Sequence, residues 1–190
     1  FFQNEFFDLL STTFYYTFFG TIGSIVFGIL TAQLVNQKFF GRTFMRSVLL
    51  FPYVGPVIAL AYTWELLLDP YSGTLNNLLM NFQVIQEPLN LLGQKYLIIN
   101  FFGFDLKLRL ALTTVIIFEI WRYFPLAFLF ILARLQAVPK ELYEAAEVDG
   151  AGPLQKFTNI TLPQITAVIS ILFMIRFIWN FNKFEDIFLL

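Results

Sequence analysis

Glu144-Ala145-Ala146-Glu147-Val148-Asp149-Gly150, with Ile160-Thr161-Leu162-Pro163 beginning ten residues beyond the glycine, is the most informative stretch of this 190-residue chain. It lies in a polar interval between two long apolar segments. A compact acidic helix in such an interval reads as a contact for another protein. Ala145 and Ala146 leave little side chain in the way of an approaching surface, and Glu144 offers a charge to a basic cleft rim. Pro139 suits the first position of a helix over 139–148, because its missing amide proton would have no partner there. Asp149-Gly150 supplies a turn, and Ala151-Gly152-Pro153 restarts a second short helix that is expected to end at Leu162-Pro163.

The composition is that of an integral membrane protein. Apolar residues make up 58% of the chain and charged residues 13%, against about 25% charged in soluble domains. The 26 Phe, 8 Tyr and 3 Trp are rings that fill helix interfaces and sit at headgroup level. A net charge of −1 and no basic run of five or more give no argument for nucleic acid. Zero Cys and zero His remove thiol chemistry, disulfides and nearly all transition-metal sites.

Four membrane spans follow from the apolar runs. No charge occurs between Asp8 and Lys38, and Ser11-Thr12-Thr13 offers an N-cap, so residues 9–36 form the first. Residues 47–68 form the second, where Pro52, Gly55 and Pro56 predict a kink or partial unwinding. The third, about 110–135, carries Glu119, Arg122 and Pro125, and the fourth, about 163–184, carries Arg176. The expected fold is therefore an all-α, polytopic transmembrane helix bundle with kinked helices, one domain over 1–190. Opening at Phe1 without Met and closing on Leu190 without a polar tail, the chain reads as a piece lacking N- and C-terminal helices. Lys38, Arg42 and Arg46 stand without an acid in the first connection, whereas Glu5 and Asp8 precede the first span without a base. The connection is thus cytoplasmic, 69–109 lies outside, and the loop 136–162 lies inside. A short amphipathic interface helix is the expectation for the outer segment, with a re-entrant piece as the alternative.

Glu-Ala-Ala, three residues, Gly, nine residues and Ile-x-Leu-Pro resembles the signature loop of permease subunits of ATP-binding-cassette (ABC) importers, with every fixed position filled. Leu135-Gln136-Ala137-Val138-Pro139, Leu142-Tyr143, Val148-Asp149-Gly150-Ala151 and Phe157 are similar to its carbohydrate, maltose-type branch. The likeness extends through Trp64, Trp121, Pro125 and Phe181-Asn182-Lys183-Phe184, over roughly residues 10–190. It implies a MetI-like permease core with a cytoplasmic coupling helix in 136–162, in which Glu144, Ala145, Ala146, Asp149 and Gly150 dock into the ATPase subunit. An ordinary amphipathic surface helix would not need Gly150 and Pro163 both in register. The partners implied are a second permease subunit, identical or homologous, two ABC subunits, an extracytoplasmic solute-binding protein, a saccharide and membrane lipid, in a bacterial inner membrane. No G-x-x-x-x-G-K-[ST] occurs here, so ATP and Mg belong to the partner subunits and this chain itself carries no cofactor. The family usually continues with a Thr and Gly-Gly-Pro stretch and a further helix, beyond this chain's last residue.

Charge at membrane depth costs roughly 2.5–3.5 kcal/mol per residue on insertion scales, so polar faces point into the bundle or a watery cavity. Glu119 and Arg122 share a helix face with Tyr123 and Leu126, and Arg176, Trp179, Asn180 and Lys183 share another. Both faces are expected to line a translocation cavity on interrupted helices. In maltose-type permeases the positions matching Arg122, Tyr123, Leu126, Trp179 and Asn180 approach the sugar. Arg122 departs from that pattern, which has an apolar residue there. With one acid, Glu119, at the depth of two arginines, a positive charge is left either for an anionic saccharide to neutralise or for a charge from the second permease half to pair, with a neutral sugar as substrate. Packing offers the plainer reading: Glu119 would pair with Arg122 or Arg176, and Trp64 and Trp121 would fill interfaces. A membrane enzyme using Glu119 and Arg122, a channel, and a permease for a non-sugar solute are the rival readings. The first lacks His, Cys, a metal motif or a serine elbow, and the second has no use for a docking loop.

Overall fold

The computed structural model describes residues 2–94, 97–101 and 104–182; Lys183 and Phe184 lie outside the described residues. Helix α1 (Phe2–Asn36) contains the apolar run Leu9–Asn36, whose 28 residues reach about 42 Å at 1.5 Å per residue, more than a bilayer's hydrocarbon core. The second expected span is two helices, α2 (Arg42–Val54) and α3 (Val57–Leu68). The break falls at Gly55-Pro56 and not at Pro52, which stays inside α2. Pro56 disfavours helical backbone at the residue before it, and its missing N–H costs nothing at a helix start.

The outer segment contains a short helix, as expected, and adds a pair of strands that was not expected. It holds α4 (Thr74–Asn81), only 8 residues long, and an antiparallel hairpin of β1 (Leu97–Phe101) and β2 (Phe104–Leu108) with Leu97 opposite Leu108. Gln83, at φ 55°, stops α4. The Gln83 and Val84 amides donate to the Met80 and Leu79 carbonyls, both at 2.9 Å, the usual left-handed closure of a helix end. The alternation Phe104-Asp-Leu-Lys-Leu108 is a strand signal. Apart from this hairpin, the described residues are helices and their connections.

Helix α5 (Leu110–Gln136) passes Pro125 without a break. After it come α6 (Lys140–Val148), α7 (Pro153–Lys156), a π-turn (Phe157–Thr161) and α8 (Leu162–Phe181). Pro139 is the N-cap of α6, one position earlier than its expected place. Leu162-Pro163 does not end a helix: residues Pro153–Phe181 run on as one apolar stretch of 29 residues. A proline ring in α geometry would meet the carbonyl four residues back. The π-turn widens the helix there, with the Leu162 amide donating to the Phe157 carbonyl, five residues back.

The described residues form two compact units, one of residues up to Tyr53 together with Ile120–Phe181, the other built on Val54–Glu119. In the first, Ile25 and Ala32 of α1, Phe124, Phe128 and Ile131 of α5, and Ile165 and Leu172 of α8 make the core. A Cβ on Gly28 would lie 2.6 Å from the Ala127 Cβ and 2.9 Å from the Phe128 backbone nitrogen. Glycine thus lets two backbones meet, the usual source of helix association where lipid is as apolar as leucine. In the second unit Trp64 packs edge-on against Phe118, ring centres 5.3 Å apart. Buried Asn76 ties α4 to Leu89 by paired bonds of 2.9 and 3.0 Å.

Candidate functional site

The acidic loop is a braced hairpin of helices. Helix α6 has no buried residue; Glu144, Ala145, Asp149 and Gly150 are exposed and Ala146 is half-buried. Gly150 closes α6 at φ 76°, while the Gly150 and Ala151 amides donate to the Glu147 and Ala146 carbonyls at 3.1 and 2.8 Å. The next helix starts with the Gly152 amide donating to Gln155 Oε1 at 2.8 Å. Three side-chain links brace the arms. Tyr143 Oη and Thr161 Oγ1 lie 3.0 Å apart, and Lys156 Nζ is 3.5 Å from Glu147 Oε1. Arg134 donates from Nε to the Gln164 carbonyl at 2.9 Å and from Nη2 to Gln164 Oε1 at 2.7 Å. The tip is open to a partner, while Tyr143 and Glu147 fasten α6 to the arm that leads into α8 and Arg134 ties α5 to α8.

A second polar cluster lies within the same unit. The Arg176 and Arg122 guanidiniums sit 4.1 and 5.0 Å from the centre of the Tyr123 ring, within cation–π range. Arg176 is 1% exposed and Arg122, Tyr123 and Leu126 are half-buried. Asn180, also 1% exposed, donates from Nδ2 to Thr21 Oγ1 of α1 at 3.3 Å. Thr17, Thr21 and Ser24 form a buried polar stripe on α1, and Thr17 Oγ1 and Asn180 Oδ1 are buried without a hydrogen-bond partner among the described residues. Trp179, by contrast, is 47% exposed.

Residues 24–184 match the family described as "Binding-protein-dependent transport system inner membrane component". The chain belongs to that family. It is 37% identical over 185 residues to the inner membrane ABC transporter permease protein YcjO of Escherichia coli K12, covering 97% of this chain and 59% of that protein. It is 33% identical over 165 residues to the trehalose/maltose transport system permease protein MalF of Thermococcus litoralis, covering 87% of this chain and 51% of that one. It thus spans between half and two thirds of the length of these relatives. A chain in the crystal structure of a bacterial ABC transporter involved in the import of the acidic polysaccharide alginate has a TM-score of 0.72 over 87% of this chain and 54% of that one. At 24% identity, that likeness concerns the fold alone, a mainly helical membrane bundle.

Against this permease fold the sequence-derived residues divide. Glu144, Ala145, Ala146, Asp149 and Gly150 come together on the hairpin tip. Arg122, Tyr123 and Arg176 come together on one ring. Trp179 and Asn180 do not share an environment: Asn180 joins Arg176 against α1, and Trp179 turns outward. Glu119 is fully buried and belongs to the other unit. Sequence reasoning missed Thr17, Thr21 and Ser24, although their spacing of four and three residues in a charge-free helix was a readable polar face. It also missed Arg134 and Gln164, which are thirty residues apart and become neighbours only after folding.

Proposed function

We propose that this chain is the membrane-spanning permease subunit of an ATP-driven importer for saccharides, multi-pass in a bacterial inner membrane. The observation that carries this reading is the exposed hairpin tip, Glu144-Ala145-Ala146 followed by the left-handed Gly150, continuous in the chain with α5 and bonded through Tyr143 to the π-turn at the foot of α8. A partner that displaces the tip therefore moves two spans at once. Separate ABC subunits hold ATP and Mg, a second permease subunit completes the pathway, and an extracytoplasmic binding protein delivers the solute. Family membership and the maltose-type relative support the importer and the sugar class. In proteoliposomes containing the assembled transporter, Glu144→Lys should cut uptake at least tenfold while the chain inserts normally. Undiminished uptake would overturn the coupling role.

Within that reading, the solute pathway is assigned to Arg122, Tyr123, Leu126, Arg176, Trp179 and Asn180, and the solute to an acidic saccharide. Two guanidiniums gathered on the Tyr123 ring concentrate positive potential beside an aromatic surface, a combination suited to a carboxylate on a sugar ring. The test is uptake of acidic and neutral oligosaccharides of matched length by Arg122→Gln and Arg176→Gln. Acidic uptake should fall at least tenfold more than neutral uptake, and equal losses would remove the case for an anionic substrate.

A further inference from the structure

The connection between α1 and α2 carries two adjoining clefts of opposite character. One, of about 420 Å³, is lined by Lys38, Phe39, Phe40 and Arg42. The other, of about 370 Å³, runs along the last turns of α1 and is mostly apolar, lined by Thr31, Leu34, Val35, Gln37, Met45 and Leu49 together with the same Phe39. Phe39 is the shared wall. From Lys38 back to Thr31 the chain follows α1 and its exit for about 10 Å, so the apolar cleft extends from the end of the span towards the hydrocarbon interior.

Among the described residues, no acid lines the charged cleft. No Asp or Glu occurs between Asp8 and Glu65, Arg46 stands one turn beyond Arg42, and Arg46 Nε is buried without a hydrogen-bond partner among the described residues. Gly41 turns the chain at φ 84°, and α2 begins immediately after it, adding the positive end of a helix to the basic side chains. Phe40 is fully exposed and Phe44 nearly so, which is costly in water and ordinary at a headgroup boundary.

We propose that these two clefts form one binding site for an anionic phospholipid. Lys38 and Arg42 take the phosphodiester and any further headgroup charge, and one acyl chain lies against Leu34, Val35, Met45 and Leu49. A soluble phosphate would fill the basic cleft and leave the apolar one uncovered; a zwitterionic lipid would fill both without matching the surplus positive charge. The adjoining pair therefore selects a lipid, and an acidic one. The proposal rests on α1 as a membrane span and is independent of the transport reading.

The test uses the full-length polypeptide, purified in detergent and equilibrated with equimolar phosphatidylglycerol and phosphatidylcholine, with retained lipids counted by native mass spectrometry. One phosphatidylglycerol should be retained at least fivefold over phosphatidylcholine, with the preference lost in Lys38→Gln/Arg42→Gln and unchanged by millimolar inorganic phosphate. Equal retention of the two lipids overturns the proposal. Displacement by inorganic phosphate overturns the lipid in favour of a free-phosphate site, and retention of neither lipid, with binding only of an acidic partner subunit, reassigns the patch to a protein contact. Removing basic residues can also disturb insertion, so a second measurement leaves them in place. In Leu34→Trp, phosphatidylglycerol brominated on its acyl chain should quench the added fluorescence more strongly than brominated phosphatidylcholine, and equal quenching rejects the site.

Discussion

Tyr143, in the middle of exposed α6, meets Thr161, in the π-turn at the foot of α8, through a hydroxyl pair 3.0 Å apart. Thr161 is 7% exposed, so the bond carries contact from the open surface to a buried, locally widened turn of a membrane helix. π-Turns inside helices recur at functional sites because their extra residue can shift along the helix. Here the movable turn and the exposed helix are tied together.

Breaking that tie should uncouple the hairpin and leave the fold intact. Tyr143→Phe removes one neutral hydrogen bond, worth about 0.5–1.5 kcal/mol, while Thr161 keeps its contact with the Lys156 carbonyl at 3.4 Å. The expected result in proteoliposomes is a two- to tenfold fall in solute moved per ATP hydrolysed, with normal insertion. An unchanged ratio would mean that force passes through the chain path alone.

Gly150 should be required for its backbone conformation and not for its small size. A Cβ there would touch nothing within 4 Å, yet φ is 76°, a region that costs other residues about 1–2 kcal/mol. Gly150→Val should therefore abolish coupling, and Gly150→Asn, which tolerates the left-handed region, should retain much of it. Equal loss in both variants would point to a steric role at the docking surface.

Asp69 makes the outer segment acid-sensitive. Its Oδ1 accepts from the Ser72 amide at 2.7 Å, the Ser72 hydroxyl at 2.8 Å and the Tyr71 amide at 3.0 Å. The Ser72 amide foremost, then the Ser72 hydroxyl and the Tyr71 amide, hold its carboxyl below the usual carboxylate range. A lowered folded pKa stabilises the turn fully above the unfolded value, about 3.9, and that contribution is lost as pH falls through the lower folded value. Asp69→Asn should loosen the 69–94 segment to protease at neutral pH, and the variant and native chain should converge under strongly acidic conditions. A constant difference at every pH would exclude the ionised carboxylate as the cause.

Orientation can be checked with single cysteines at exposed positions 40, 86 and 155. Membrane-impermeant reagent should label 86 from outside, and 40 and 155 only after access to the cytoplasmic face. The opposite pattern would invert the assignment drawn from Lys38, Arg42 and Arg46.

The sequence by itself determined where helices run and where the exposed loop turns. Those features depend on local chemistry: an uncharged run long enough to cross hydrocarbon, a glycine at a left-handed position, and Pro56, which disfavours helix at the residue before it. The hairpin β1–β2 was also locally encoded, in a two-residue alternation that the expectation of an interface helix passed over. Tertiary structure alone decided which side of each span faces the bundle. In a soluble helix the apolar stripe marks the core, but here exposed Ile178 and buried Leu172 are chemically alike, so periodicity carries no direction. Adjacent residues lie 100° apart around a helix, and only the approach of α1, with Thr21 reaching Asn180, sets Asn180 inside and Trp179 outside. The unbroken passage through Pro163 is of the same kind. The proline forbids ordinary helix geometry, and the chain follows a π-turn instead of stopping because α8 is held against α1 and α5, where Ile165 and Leu172 are buried.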